Sequence, residues 1–292
     1  MILVIGGTGH TGSEAVRQLV LREASVRVVT RDPARAAAMP ALAEAEIVEG
    51  DSSRPESLDR AFHGVRRLYL VPPTAPSWDE LQTALIERAA KAGIEYMVRI
   101  SAIGAGPDEP SLSLPFHWRG EQTIEASGMA YTHLRANSFH QNSLFDAETI
   151  KREGRFYSCI GDARLAKVDA RDVGEVVATI LTQDGHEGET YELTGPEALR
   201  GDDMAAVLSK VLGRTIECVD MPPDAYAAGL ERAGLQAWLA KELADIYGRG
   251  FYRSGGASFV THTIERLLGR PPRSYEDFVR EHAGVFRPLP EL

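Results

Sequence analysis

The 292-residue chain is 43% apolar and 25% charged, with a formal net charge of −10. Such proportions describe an ordinary globular protein, long enough for one large core or for one core with a smaller lobe attached. The acidic balance argues against a nucleic-acid-binding surface, which would need a basic face, and no apolar run reaches the length of a membrane span.

The first element is an apolar run, Ile2-Leu3-Val4-Ile5, followed by Gly6-Gly7-Thr8-Gly9-His10-Thr11-Gly12 and then by helical spacing at Ala15, Val16, Leu19 and Val20. That order is strand, glycine-rich turn, helix. Glycines leave no side chain between the main chain and a ligand, and a helix beginning there aims unpaired N–H groups and a positive dipole end at a pyrophosphate. A second strand, Val26 to Thr30, follows at the distance where a dinucleotide fold places its ribose reader.

That strand ends in Thr30-Arg31-Asp32-Pro33-Ala34-Arg35 rather than in a lone acidic residue. Arg31 stands where a guanidinium meets the 2′-phosphate of NADP with paired, charge-assisted hydrogen bonds, and Arg35 adds a second contact one turn on. NADP (as NADPH) is therefore the expected cofactor, with NAD as the alternative that Asp32 keeps open. Asp32 otherwise caps the next helix.

Further strands are predicted at 45–49, 67–71, 95–100 and 130–135, with helices at 11–23, 33–39, 55–62, 77–92 and 116–127. Pro55 fits a first helical turn and Gly93 a helix stop. From residue 138 helical spacing dominates, at 170–183, 201–213, 222–230, 234–250 and 274–283, with short strands near 155–158, 189–194 and 215–219. The fold class is α/β: a Rossmann-like doubly wound parallel sheet with a smaller, mostly helical substrate-binding lobe. Residues 1–137 are read as the NAD(P)-binding domain and 138–292 as the smaller lobe, with part of the chain returning to the sheet edge.

Cys159 and Cys218 form no Cys-x-x-Cys pair, and the eight histidines show no ligand spacing, so neither a disulfide framework nor a metal site is expected. With the first strand starting at residue 2, no signal peptide is expected either, and the predicted location is the cytoplasm. Many reductases of this fold use a Tyr-x-x-x-Lys pair. None of the nine tyrosines has a lysine four residues later, and no lysine lies between Lys91 and Lys151. Sugar-nucleotide epimerase and ordinary alcohol dehydrogenase chemistry lose their support.

The opening glycine motif, Arg31-Asp32-Pro33, Gly50-Asp51, Ile100-Ser101-Ala102, the stretch His117 to Asn142 and the segment Arg270 to Phe278 together resemble the NmrA-like atypical short-chain dehydrogenase/reductases. The resemblance spans nearly the whole chain. It is strongest toward the branch with bacterial type-2 NADPH:quinone oxidoreductases and triphenylmethane reductase. It implies that Gly6, Thr8, Gly9, His10, Thr11 and Gly12 cradle the phosphates and that Arg31 holds the 2′-phosphate. Asp51 and Ser52 would flank the adenine, and Val71, Pro72 and Pro73 would line the path to the nicotinamide. Ser101, Ala136, Asn137, Ser138 and Phe139 would border the cofactor at the ends of the later strands.

Relatives that reduce isoflavonoids or lignan precursors carry a catalytic lysine where this chain has His117. An imidazole with an ordinary pKa near 6.5 suits proton donation, so His117 is the candidate catalytic residue; alternatively it faces solvent at a helix start. Asp169 and Asp172 read as helix-capping groups that pin the smaller lobe, and Glu121 with Glu125 as a solvated helix face. Trp118, Phe139, Phe145, Tyr157, Trp238, Tyr247 and Phe251 are candidates to wall a pocket for a flat ring.

The implied activity is NADPH-dependent hydride transfer to a quinone, a dye or a conjugated carbonyl. A non-catalytic NAD(P)-sensing regulator and a dedicated secondary-metabolite reductase or isomerase with His117 as acid are the alternatives. Partners would be small aromatic or quinone-like molecules, without nucleic acid or membrane, and a homodimer is compatible with the chain.

Overall fold

The computed structural model describes residues 1–73 and 77–287. The last five residues of the expected smaller lobe, 288–292, lie outside them.

The amino-terminal part alternates β1 (Ile2–Ile5), α1 (His10–Leu21), β2 (Val26–Thr30), α2 (Pro33–Ala37), β3 (Glu46–Glu49), α3 (Asp59–Phe62), β4 (Arg67–Leu70), α4 (Trp78–Lys91), β5 (Tyr96–Ala102), α5 (Ser113–Ala126) and β6 (Ala130–Ala136). A 3-10 segment, His140–Asp146, leads to α6 (Ala147–Glu153), β7 (Arg155–Ser158) and α7 (Ala170–Thr182). Then come β8 (Glu189–Leu193), α8 (Gly201–Leu212), β9 (Glu217–Asp220), α9 (Pro223–Arg232), α10 (Ala237–Gly248), α11 (Thr263–Leu268), α12 (Tyr275–Glu281) and α13 (Ala283–Phe286).

Seven strands form one parallel sheet in the order β3-β2-β1-β4-β5-β6-β8. The order reverses beside β1, between strands whose carboxyl ends open a crevice for a ligand. Strand residues alternate between two cores. Val4, Val28, Val98 and Leu134 pack with Val16, Leu19, Val173 and Val177 of α1 and α7, while Leu3, Ile5, Leu70 and Met97 pack with Phe62, Leu85, Ile86 and Ile124. Burial on both faces explains why β1 reads as an unbroken apolar run.

The returning segment is integral to this sheet. β8 extends it beside β6, and α7 lies directly on α1: a Cβ at Gly174 would come within 2.7 Å of Glu14 Cβ and 2.8 Å of Ala15 N. A third core joins Ile150, Phe156, Met204, Leu208, Tyr275 and Phe278 in the smaller lobe, whose own sheet is the parallel pair β7-β9. Asp169 caps α7 by accepting from Arg171 N, at 2.9 Å. Asp172, fully buried, accepts from Arg270 Nη2 (2.8 Å), Arg273 N (2.7 Å) and Arg273 Nη1, tying the approach to α12 onto α7. No helix among the described residues is long and apolar enough to cross a membrane.

Helices α6, α11 and α13 were not foreseen. They are only 7, 6 and 4 residues long, too short for a 3.6-residue period to register.

Candidate functional site

The turn after β1 contains glycines of two kinds. Gly6 has φ +86°, and a Cβ there would meet Val71 Cβ at 2.6 Å; a Cβ on Gly7 would meet Val28 Cγ1 at 2.7 Å, and one on Gly12 would lie 2.1 Å from Gly6 O. These three are required by the packing of strand, turn and helix. Gly9 is different: a Cβ there would meet only Gly6 O, at 3.4 Å, an ordinary contact. Its backbone (φ −86°, ψ 175°) is open to any residue, so the protein alone does not demand glycine; a ligand lying on the turn would. α1 also starts with no side-chain cap and no acidic residue in its first turn, leaving the dipole end for an anion. These residues fit a dinucleotide's phosphates. Thr8, Gly9 and His10 are exposed, whereas Thr11 is buried, its hydroxyl receiving the Tyr69 O–H at 3.1 Å.

At the end of β2, Asp32 accepts from Arg35 N at 2.9 Å and so caps α2. Its carboxylate is engaged in that cap, while the exposed guanidinium groups of Arg31 and Arg35 have no hydrogen-bond or ion-pair partner among the described residues. Asp51 follows β3. Burial raises its pKa, but hydrogen bonds from Ser53 (2.9 and 2.7 Å) and the nearby Arg31 and Arg54 hold the carboxyl below its ordinary range. Ser52 beside it is half-buried, as are Val71, Pro72 and Pro73 beyond β4.

Along the sheet edge, β5 ends in Ser101, whose hydroxyl donates to Glu121 Oε1 at 2.6 Å. Glu121 is only 1% exposed and also receives Arg135 Nε (3.0 Å) and Nη2 (2.6 Å). The expected solvated face is therefore wrong for Glu121. The partners that draw it inward come from β5 and β6, which its i, i+4 spacing to Glu125 does not reveal; Glu125 does lie exposed. After β6, Ala136 and Asn137 are buried, and Asn137 Nδ2 donates to Ala257 O at 2.9 Å. The Ser138 hydroxyl shares a hydrogen bond with Tyr247 OH at 2.8 Å, and Asn142 Nδ2 donates to both oxygens at 3.3 Å. Phe139 and Val71 each pack against the sheet core.

His117 rides on α5 with its ring edge-on to Phe116, centroids 5.2 Å apart. It is half-buried, and Nδ1 is enclosed with no hydrogen-bond partner. Burial, and then the neighbouring Arg99 guanidinium, hold the imidazole well below its ordinary pKa. His117 is consequently neutral at physiological pH and offers a nitrogen rather than an imidazolium. Arg99 is fully buried, held by Gln82 Oε1 (3.1 Å from Nε) and Ile100 O (3.0 Å from Nη1). Burial pushes its pKa down to about 10 against the opposing Glu121.

The start of α5 is held from the other lobe. Leu112 N and Ser113 N each donate to a carboxylate oxygen of Glu242 on α10, both at 2.9 Å. A groove of about 580 Å³ leads from His10 and Ser13 past Gln141 and Leu144 toward Arg171. Among the described residues no three His, Cys, Asp or Glu side chains converge as metal ligands.

The sequence pattern of a family described as NAD(P)H-binding matches residues 6–184, from the glycine turn through α7. The chain belongs to this NAD(P)H-binding family. It is 34% identical over 288 residues, 98% of this chain and 99% of the relative, to the NAD(P)H azoreductase of Xenophilus azovorans. The NADPH complex of the quinone oxidoreductase QOR2 from Escherichia coli superposes with a TM-score of 0.86 at 27% identity, covering 96% of this chain and 99% of that one. The NADP(H) complex of the Citrobacter sp. triphenylmethane reductase gives a TM-score of 0.85 at 22% identity, covering 96% and 99%, a likeness of fold.

For this family member the sequence alone did not bring out Glu242 or the Arg99–Gln82 pair. Each is defined by a partner far along the chain. Of the candidate aromatics, Tyr247 reaches the end of β6, Trp238 packs edge-on to Trp78 (5.8 Å), and Phe145 is 82% exposed. Tyr247 was visible as one ring among several; only its hydroxyl bond to Ser138 singles it out.

Proposed function

We propose that this NAD(P)H-dependent oxidoreductase uses NADPH to reduce a flat, electrophilic acceptor: a quinone, an azo dye or a conjugated carbonyl. The observation that carries the reading is the contrast along one sheet edge. A bare glycine cradle and two arginines without a partner among the described residues lie at one end, and a wall of rings and neutral hydroxyls without a tyrosine–lysine pair lies at the other.

When bound, a dihydronicotinamide supplies a hydride. The chain's own residues bind and orient. The turn amides and the α1 dipole hold the diphosphate, and Arg31 with Arg35 selects the 2′-phosphate. Phe139 and Val71 offer an apolar floor, while Ser138, Asn142 and Tyr247 present hydrogen-bonding groups to an acceptor oxygen or nitrogen. Neutral His117 adds a nitrogen without charge. An electrophilic acceptor needs positioning more than polarisation, because its carbon is already poised for hydride.

The test is NADPH oxidation followed by nicotinamide absorbance with a panel of quinones, azo dyes and enones. Turnover of several acceptors that survives His117→Ala supports the reading. Tight NADPH binding with no oxidation by any acceptor overturns it in favour of a nucleotide sensor. Turnover of one acceptor, abolished by His117→Ala, points instead to a dedicated enzyme.

A further inference from the structure

The end of α10 crosses the carboxyl ends of two neighbouring strands. Phe251 covers β5: a Cβ on Gly104, two residues beyond that strand, would lie 2.7 Å from its ring. Tyr247 reaches β6. Its ring packs with Ile103, Ile160 and Tyr252, the Tyr252 centroid 5.2 Å away, while its hydroxyl meets Ser138 Oγ at 2.8 Å, two residues beyond the strand. Open parallel sheets bind their ligands outside these strand ends. Phe139, the next residue along, packs on the sheet core and sets an apolar surface beside the two hydroxyls.

Proton counting separates the members of this group. Asn142 Nδ2 donates to Ser138 Oγ and to Tyr247 OH, both at 3.3 Å. One of the two hydroxyl protons lies between the hydroxyl oxygens, and the other has no acceptor among the described residues. Ser138 is only 7% exposed, whereas Tyr247 is half-buried and keeps the more open surface. The phenol is also the more acidic hydroxyl. Against a developing negative charge the favoured chain therefore runs from Ser138 to Tyr247 and outward from the phenol, each bond strengthening the next. Burial holds the phenol above its ordinary pKa against the pull of Ser138 and Asn142, so it carries its proton in neutral water. The residue four places on is Phe251, so this is not a tyrosine–lysine pair.

We propose that Tyr247 gives a hydrogen bond, and then its proton, to the oxygen of a neutral acceptor that turns negative on hydride transfer. The inference rests on the reductase reading above and supplies a donor that does not depend on His117. The acceptor takes a hydride, with both electrons of the cofactor's C–H bond, at one end of its conjugated system. A π pair is thereby displaced onto an oxygen at the other end. The Tyr247 O–H bond breaks, the proton bonds to that oxygen, and the electron pair stays on the phenolate. Ser138 and Asn142, donating to the phenolate oxygen, stabilise it until water returns a proton. Both are positioning residues that act through Tyr247.

The experiment sets a neutral naphthoquinone, which needs a proton, beside a triarylmethyl cation, which becomes neutral on hydride alone. Tyr247→Phe keeps the ring and removes only the hydroxyl. It is expected to lower kcat for the quinone at least about tenfold more than kcat for the dye. Because that ratio is taken within one protein, a loss of folded material cancels from it. Ser138→Ala is expected to lower the same ratio several-fold on its own, and to lower quinone kcat no further once Tyr247→Phe is present. Equal effects on the two acceptors, no effect on the quinone, or a Ser138→Ala loss that persists in the Tyr247→Phe background would each overturn the inference while leaving the reductase reading standing. So would an unaltered protein that reduces the dye but not the quinone. Failure of the unaltered protein to oxidise NADPH with either acceptor would overturn both.

Discussion

Adding one carbon to Gly12 and adding side chain to Gly9 have different consequences. At Gly12 the new Cβ overlaps Gly6 O at 2.1 Å, so Gly12→Ala is expected to cost about 2–3 kcal/mol or to prevent folding, seen as a lower Tm. At Gly9 a Cβ makes only an ordinary contact, at 3.4 Å from Gly6 O, so Gly9→Ala is expected to cost less than about 1 kcal/mol of stability while raising the NADPH dissociation constant several-fold. Thermal melts and fluorescence titration on the two variants check the contrast. Arg31→Ala is expected to weaken NADPH by about tenfold, the loss of one charge-assisted contact of about 1.5 kcal/mol, and to spare NADH. Equal weakening of both nucleotides would contradict it. The strand–turn–helix frame that carries these residues was legible because strand, glycines and helix are contiguous. The buried position of Glu121 was not, since Ser101 and Arg135 lie 20 and 14 residues away from it.

Among the elements, α5 is held at its start by a distant residue rather than by a local cap. Its first residue is Ser113, whereas the sequence pattern suggested a start at 116, and the residue before it, Leu112, has no capping side chain. The cap is Glu242, 130 residues after Leu112. No window of neighbouring residues contains that information. Glu242→Ala is expected to cost about 1–2 kcal/mol, from two amides left without an acceptor, and to lower Tm by a few degrees. Because His117 rides on this helix, the substitution should raise KM for the acceptor more than it changes NADPH affinity. Steady-state kinetics with either substrate varied would separate the two. By contrast α7 was legible at both ends, with Asp169 as its cap and a strongly periodic apolar face. Its seat on α1 depends on Gly174, a requirement that appears only when both helices are in place.

Over the whole molecule, acid stability should follow buried imidazoles. Burial holds His133 and His140 down at about 4, below the ordinary 6.5 of an exposed ring. A histidine whose folded pKa is depressed binds fewer protons folded than unfolded. Its contribution is therefore complete above 6.5 and is lost as pH falls from there through about 4. Each contributes on the order of 3 kcal/mol at full effect. Tm measured from pH 7 to pH 4 is expected to fall steeply, and His133→Leu, which cannot take up a proton, should flatten the curve. Asp169, buried but held near 2 by hydrogen bonds from Arg171 and Gln141, adds stability that is lost only in stronger acid, below about pH 4. Sheet order at this scale was readable as a class, because alternating apolar runs and helices imply a parallel sheet. The edge strand β8 and the layer α7 come from beyond residue 137, so the amino-terminal portion lacks its last strand and one helical cover without them.

The paired amides of Leu112 and Ser113 also work as a gauge. Any excursion that draws α10 away from the sheet uncovers both at once, so their deuterium uptake would count how often the lobes part. Saturating nucleotide would slow that clock only if closure and cofactor occupancy are linked.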